Sequence, residues 1–455
     1  MKTKKKGTTI GLAEKLGYAG ISVADNLRGS YRGTFMQFFC TNVLMIRPGI
    51  LATLMSLVTI WDAINDPLIA SYADNHPNKN GDRARQYLWA GIPLSIIMIL
   101  MFVRFSMNPT ISLMIIFCLN ILFSVATTFH RLPFYAMMIL VSPHEADRLS
   151  VNKFHFFGTA IGTALGSLAM WPLVRLVGGV DEAGNVANPE KGFLMGMVVV
   201  GAIVIILSLY HYYTTKERVH PQQTEKTPMI EAIKILFKKA VFRRNVILDF
   251  LRSTIIAATT GYALYYVTYV LGKPGFLTPM YAIYLISNIL ALPFLNKVIE
   301  KLGKRMSLIA SAVLLIVGEI IFIVFAKNII GGISLVLATG LATAMINVVL
   351  SLNRARVADE VEDEDEKGRR VDSMVSNVNG FAIKCGTSVV SLAFGWILEL
   401  TGYDATLAVQ PTSAINGIIF IMGWLVIICC VGLILAAPKD KEEAPKAAVS
   451  ETEGE

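Results

Sequence analysis

Two carboxylates stand four residues apart inside an apolar run, Asp62 and Asp66 in Trp61-Asp62-Ala63-Ile64-Asn65-Asp66-Pro67. On a helix that spacing stacks them on one face. Like charges so placed repel, and they call for a proton, a cation or a basic side chain between them. The same pair would serve equally well in a structural salt bridge to a neighbouring helix. A second constellation is Asp25, Arg28 and Arg32, at i, i+3 and i+7, with Asn26 beside that face. A third is Arg131, one turn after Thr128 and just before Leu132-Pro133. Proline frees a backbone carbonyl and can bend a helix toward a polar space. Three arginines against three aspartates admit two readings. Either the arginines line a polar cavity with spare positive charge, or they neutralise Asp25, Asp62 and Asp66 pairwise. Lys384 lies in Phe381-Ala382-Ile383-Lys384-Cys385-Gly386 with no carboxylate within four residues, so its partner must come from another helix or from a ligand. Asp249 and Arg252 can satisfy each other at i, i+3. Glu319 stands alone in an apolar run, and His130 reads as a packed or loop-facing side chain.

These charges are informative because the elements that carry them are apolar. Of 455 residues, 54% are hydrophobic and 16% charged, whereas soluble domains hold roughly 25% charged residues. That balance excludes a soluble multidomain enzyme, a disordered chain, a coiled coil and a disulfide scaffold. A bilayer takes about 20 apolar residues as helix. Roughly twelve such segments are expected, at 17–43, 47–73, 86–107, 111–141, 150–178, 193–215, 243–271, 276–298, 304–326, 329–357, 372–400 and 412–436. An ionised side chain near a bilayer's centre costs at least ~2.5–3.5 kcal/mol. Each one in these spans must therefore face protein, water or a partner. The cysteines Cys40, Cys118, Cys385, Cys429 and Cys430 fall in apolar runs and read as small buried hydrophobes. No metal-ligand spacing and no cofactor motif appears. Gly158, Gly162 and Gly166 recur at a spacing that lets helices approach closely.

Lys and Arg concentrate in alternate loops, which predicts both termini on the cytoplasmic side. The basic N-terminus has no cleavage-site pattern after it, so no removed signal peptide is expected. The net charge of +8 is then a topology signal, and a nucleic-acid partner is not needed. The longest polar interruption divides the chain into a six-helix bundle at 1–215, a cytoplasmic loop at 216–242 and a second six-helix bundle at 243–436. The tail, 437–455, reads as disordered. Similar basic turns at Gly81–Arg85 and Lys301–Arg305 suggest related halves. The run Asp359–Asp365 reads as a solvated loop whose acids could pair with Arg354, Arg356, Arg369 and Arg370.

The Trp61–Pro67 segment, followed by a basic turn and Arg85-Gln86-Tyr87-Leu88, resembles the signature of the glycoside-pentoside-hexuronide:cation symporters. Lys15-Leu16-Gly17-Tyr18, Leu132-Pro133-Phe134-Tyr135, Val357-Ala358-Asp359 and Lys384 extend the resemblance over nearly the full chain. It implies an all-α membrane protein of the major facilitator fold, with about twelve helices in two bundles and alternating access around a central site. It implies a cation or proton site at Asp62, Asp66 and Thr128, with any sodium ion at the two aspartates. It implies substrate-facing positions at Asp25, Asn26, Arg131, Tyr135 and Lys384. The family's helix-IV acid falls on Arg131, a charge reversal, and its helix-V arginine has no clean match beyond Lys153 or His155.

Arginine at position 131 competes with a cation for Asp62 and Asp66, which favours H+ coupling over Na+. With Arg28 and Arg32 it gives a site suited to an anion, since guanidinium matches carboxylate, sulfonate or phosphate. The expectation is a monomeric importer in a bacterial cytoplasmic membrane. It would carry a hexuronide, glucuronide or sulfo-sugar by cation symport, without a cofactor. A lysolipid or other amphiphile carrier of the same fold is the alternative, as is a neutral-glycoside uniporter. No G-x-S-x-G, H-E-x-x-H or Walker A sequence supports an enzyme or ATP-driven pump.

Overall fold

Every expected span is helical in the computed structural model, which describes residues 10–76, 84–182, 184–219, 229–364, 372–407 and 409–437. The first half supplies α1 (Leu12–Asn42), α2 (Pro48–Asn75), a 3-10 turn (Arg85–Ala90) leading into α3 (Gly91–Leu100), α4 (Pro109–Leu140), α5 (Glu145–Leu168), α6 (Met170–Gly178) and α7 (Pro189–Thr214). The second half supplies α8 (Met229–Lys238), α9 (Ala240–Thr260), α10 (Ala263–Tyr265), a π-helical segment (Tyr266–Val270), α11 (Leu277–Val324) and α12 (Ile329–Glu364). It ends with α13 (Asp372–Leu400), α14 (Thr412–Ile419), a second π segment (Phe420–Trp424) and α15 (Leu425–Ala436). Starts follow local chemistry. Pro48, Pro109 and Pro189 open α2, α4 and α7, where a missing N–H costs nothing. Asn108 and Asn188 cap the latter two by accepting from Thr110 N (2.9 Å) and Lys191 N (3.0 Å).

Among the described residues, eight helical stretches are long and apolar enough to cross a membrane. One of them, Pro274–Val324, turns at Gly303 (φ 75°) and covers two expected spans. Three expected spans fall outside the eight. The α3 region is short, and α1 and α9 carry the charges that make them interesting. The chain is thus a multi-pass, all-α membrane protein.

The chain forms two compact units. The first comprises Met1–Thr224, Ala263–Ala282 and Ser391–Ile418; the second comprises Glu225–Tyr262, Ile283–Val390 and Ile419–Glu455. In the first unit α1 packs on α5 and α7, and α2 packs on α4. The glycine repeat on α5 is where α1 comes closest. A Cβ at Gly158 would meet the Ala19 carbonyl, one at Gly162 the Val23 carbonyl, and one at Gly166 the Ser30 side chain. Small residues at that spacing let backbones touch where lipid offers no hydrophobic drive. An aromatic cluster of Tyr31, Phe35, Phe102, Trp171 and Phe193 joins α1 to the α3, α6 and α7 region, and Tyr31 Oη donates to Phe193 O (2.6 Å). At the start of α1, Glu14 accepts from both Nη atoms of Arg218 (2.8 Å each), which raises the arginine's pKa further above neutrality. The carboxylate of Glu217 accepts from the N–H groups of Ala84 and Arg85 (3.1 Å each).

In the second unit α9 packs on α12 and α15. Leu236 and Phe242 bury against Val357, Val361 and Val375. The interruption at 216–242 therefore holds a helix, α8, rather than only loop. The acidic run also departs from expectation. α12 continues through Glu364, where Arg356 Nε pairs with Glu360 at 2.7 Å, a helical i, i+4 contact, and Arg354 turns to Asp249. Asp365, Arg369 and Arg370 lie outside the described residues, as do the basic N-terminus, most of the Gly81–Arg85 turn and the tail beyond 437. Of the cysteines, Cys118 is exposed instead of buried.

Candidate functional site

Two helices build a short polar ladder by matching one spacing. On α2, Asp62 and Asp66 are four apart; on α4, Ser124 and Thr128 are four apart. Ser124 Oγ donates to Asp62 Oδ1 at 2.6 Å, and Thr128 Oγ1 donates to Asp66 Oδ1 at 2.7 Å. Between them Asn65, buried, donates from Nδ2 to Thr128 Oγ1 at 3.0 Å. Both carboxylates are half-buried, while Ser124 and Thr128 are buried. Hydroxyl donors aim the carboxylate oxygens. An oxygen-only set with two negative charges suits a small hard cation or a proton. Among the described residues no cluster of three or more His, Cys, Asp or Glu forms a metal site.

The α1 constellation is organised differently. Arg28, buried, places Nη2 2.8 Å from Asp25 Oδ1, with Nη1 3.3 Å from Thr127 Oγ1. His130 Nδ1 approaches the same carboxylate oxygen at 3.4 Å. Arg32 donates to Asn120 Oδ1 (2.7 Å) and lies over the Phe123 ring at 4.4 Å, a cation–π contact. Asn26 points into the seam with α5, donating to Ser22 O (2.9 Å) and Thr159 Oγ1 (3.3 Å) and accepting from Thr163 (3.5 Å). Arg28 and Arg32 are thus engaged by protein groups on α1 and α4.

Arg131 is exposed on α4. Its Nη2 is 3.5 Å from Tyr135 Oη, and its guanidinium sits 5.7 Å from that ring. Tyr135 is also exposed. Ser22 Oγ lies 2.7 Å from His155 Nδ1, and Lys153 is exposed. In the second unit Lys384 is half-buried on α13. Asp249 is fully buried and lies 3.3 Å from Arg252 and 3.5 Å from Arg354, so the expected i, i+3 pair gains a second cation. Glu319 is fully buried on α11, with neither carboxyl oxygen hydrogen-bonded among the described residues.

A family model described as MFS/sugar transport protein matches residues 17–437. The chain belongs to this family. It is a transporter of the major facilitator fold, not an enzyme. Among curated proteins it is 25% identical to the putative glycoside/cation symporter YagG of Escherichia coli (strain K12), covering 94% of this chain and 90% of that one. It is 24% identical to the isoprimeverose transporter of Lactiplantibacillus pentosus, covering 91% and 86%. It is also 21% identical to the sodium-dependent lysophosphatidylcholine symporter 1 of Gallus gallus, covering 89% and 81%. Among solved structures, the nucleoside transporter NupG matches with a TM-score of 0.66 at 16% identity, covering 93% of this chain and 98% of that one.

Some residues of the candidate site escaped sequence reasoning. Ser124 carries no charge, yet its spacing to Thr128 repeats that of Asp62 and Asp66, which is the signal that could have found it. Asn65 sits inside the recognised segment but reads as filler between two acids. His130 is packed, as expected, and its Nδ1 faces Asp25.

Proposed function

We propose that this protein is a cation-coupled symporter of sugar-class solutes, with an anionic sugar such as a glucuronide, hexuronide or sulfo-sugar as substrate and H+ as the coupling ion. The observation that carries the substrate reading is Arg131. It is exposed on α4, one turn beyond Thr128, and is held only loosely by Tyr135. Arg28 and Arg32 are committed to Asp25, Asn120 and Phe123, so Arg131 is the guanidinium with a fork to offer. Asp62 and Asp66 bind the coupling proton, with Thr128 and Ser124 aiming them. A guanidinium one turn beyond Thr128 disfavours a metal cation at the two aspartates and leaves a carboxylic acid as the charge-neutral alternative. Coupling follows when proton and solute favour the same conformations. The names of the curated relatives support the solute class, and the alternation of Lys and Arg supports a cytoplasmic membrane with both termini inside. A monomer is the working unit.

Proteoliposome uptake tests this. A radiolabelled glucuronide and a neutral galactoside are offered under separate pH and sodium gradients. Glucuronide uptake driven by the pH gradient is expected, and Arg131→Ala should weaken glucuronide affinity on the order of tenfold to a hundredfold, matching the ~1.5–3 kcal/mol of a charge-assisted hydrogen bond. Uptake of the galactoside alone would overturn the anionic substrate; accumulation under sodium alone would overturn H+.

A further inference from the structure

One polar patch in the first unit is used by none of the groups above. His130 on α4 and His211 on α7 are fully buried, and Ser208, one turn before His211, is fully buried too. Five polar atoms here, both ring nitrogens of each histidine and Ser208 Oγ, make no hydrogen bond among the described residues. They form one patch. A methyl placed on Gly91 would touch Ser208 and lie 3.3 Å from His130 Nε2. His211 packs edge-on against Tyr18 of α1 (4.8 Å between centroids) and against Phe134 of α4 (5.7 Å). One end of the patch is Asp25, 3.4 Å from His130 Nδ1. The other end is the last turn of α7, where His211 Nδ1 and half-buried Thr214 meet the start of α1 at Gly17.

Leaving a buried polar atom unpaired costs about 1–3 kcal/mol. Even with His130 Nδ1 facing Asp25, four in one patch exceed what a marginally stable fold carries without partners. Groups of this kind, two to four around one point, are what buried water bonds to. We propose that His130, Ser208 and His211 bind ordered water and form a proton path along the α1–α4–α7 seam, joining Asp25 to the end of the bundle at Gly17 and Thr214. The coupling role of this path rests on the H+ reading above. One proton arrives on the imidazole of His130 beside the Asp25 carboxylate. One leaves toward the Ser208 hydroxyl, the bound water and His211. Only N–H and O–H bonds form and break, and no other reactant is needed. The charged and titratable groups around the path are Asp25 and Arg28 of α1, with Tyr18 nearer its start, Arg131 of α4, His155 of α5 through Ser22, His211 of α7, and Glu14, Glu217 and Arg218 at the Gly17 end. Gly91, the first residue of α3, brings none, while Arg85 of the 3-10 turn donates from Nε to Thr215 O (2.9 Å) at the Gly17 end. Imidazole suits the task because one ring nitrogen can take up a proton while the other gives one up.

The test uses the full chain in proteoliposomes, labelled with 15N histidine and read by water-edited NMR over roughly pH 5 to 8. Signals lost in His130→Gln and in His211→Gln identify the two rings. Both are expected to receive magnetisation from water, and Ser208→Ala should weaken that transfer. Two dry rings, each in a single neutral tautomer across the range, overturn the proposal. A second arm measures pH-driven uptake of the radiolabelled glucuronide, with chromatographic profile as the check on folding. His211→Gln and Ser208→Ala should slow accumulation on the order of tenfold or more. Wild-type accumulation driven by pH and unchanged in both variants overturns the path while H+ coupling stands. Wild-type accumulation driven only by sodium overturns H+ coupling, and with it the path's role, even where the rings are wet. Should the glucuronide not be carried, the NMR arm alone decides.

Discussion

Thr128 has a single hydroxyl and serves two side chains of α2 with it, donating to Asp66 and accepting from Asn65. Thr128→Val keeps the shape and removes both bonds. A carboxylate oxygen and a buried amide then lose partners, at a cost of about 1–3 kcal/mol. Supporting groups of this kind typically change ion affinity by about 10–100-fold. The expected outcome is a weaker apparent affinity for the coupling ion by about that factor, read as the ion dependence of solute uptake, with Thr128→Ser restoring it. An unchanged ion dependence would remove Thr128 from the site. Asp62 and Asp66 were legible in the sequence because charge in an apolar run is expensive. Ser124 was not, because a serine in a membrane helix costs little and can satisfy itself on its own backbone. Asn26 is a different case. A motif count places it toward solute, whereas its amide is absorbed by Thr159 and Thr163 on the close-packed α1–α5 seam.

The helices were legible through length and hydropathy, and their interruptions were not. Hydropathy is blind to the positive φ of Gly303, to the turn at Gly261 that ends α9, and to the π segments at Tyr266–Val270 and Phe420–Trp424. These breaks matter because one of them aims a set of tyrosines. In the first unit Tyr269 and Tyr403 both donate to Asn42 Oδ1, at 2.5 and 2.6 Å. Nearby, Arg47 Nε pairs with Glu399 Oε1 at 2.7 Å, Gly49 N donates to Glu399 Oε2 at 2.9 Å, and Trp396 Nε1 donates to Thr53 Oγ1 at 3.1 Å. The ends of α1 and α2 are thereby tied to the segment after α10 and to the end of α13. On the proposed orientation this tie closes the outer side. An ion pair whose arginine is open to solvent contributes about 0.2–1 kcal/mol, so Glu399→Gln should raise the open population up to roughly fivefold, and adding Tyr403→Phe should raise it further. The measurement is the thiol-labelling rate of Ala52→Cys, a buried position packed on Gly395, in a background without native cysteines. Equal rates in all variants would show that these bonds do not hold the end shut.

At the scale of the whole molecule, sequence and fold speak to different questions. Apolar length fixes how many times the chain can cross a bilayer, and the family match fixes the architecture, but neither says which side faces the cell. That information lies in the loops, where Lys and Arg are retained on the cytoplasmic side because positively charged segments resist translocation. Lys297 and Lys301 lie on one side of the expected topology together with the 216–242 region, which carries Lys216, Arg218, Lys234, Lys238 and Lys239. The opposite loops hold isolated residues such as Lys191, Lys273 and Lys327. Part of that charge is structural as well, since Arg218 is clamped by Glu14. Its effect on orientation is therefore tested by location rather than by deletion. Single cysteines replacing the exposed residues Glu182, Lys327, Lys238 and Lys297 in the full chain separate the alternatives. A membrane-impermeant maleimide added to intact cells should label the first two, and the last two only after permeabilisation. The reverse pattern would invert the transporter, turning the Asn42 latch into an inner gate and placing the Gly17 end of the histidine seam outside. The same fold would then belong to a carrier that loads its proton from the other face, so this one labelling pattern sets the direction in which the Asp62–Asp66 site and the Asn42 latch operate.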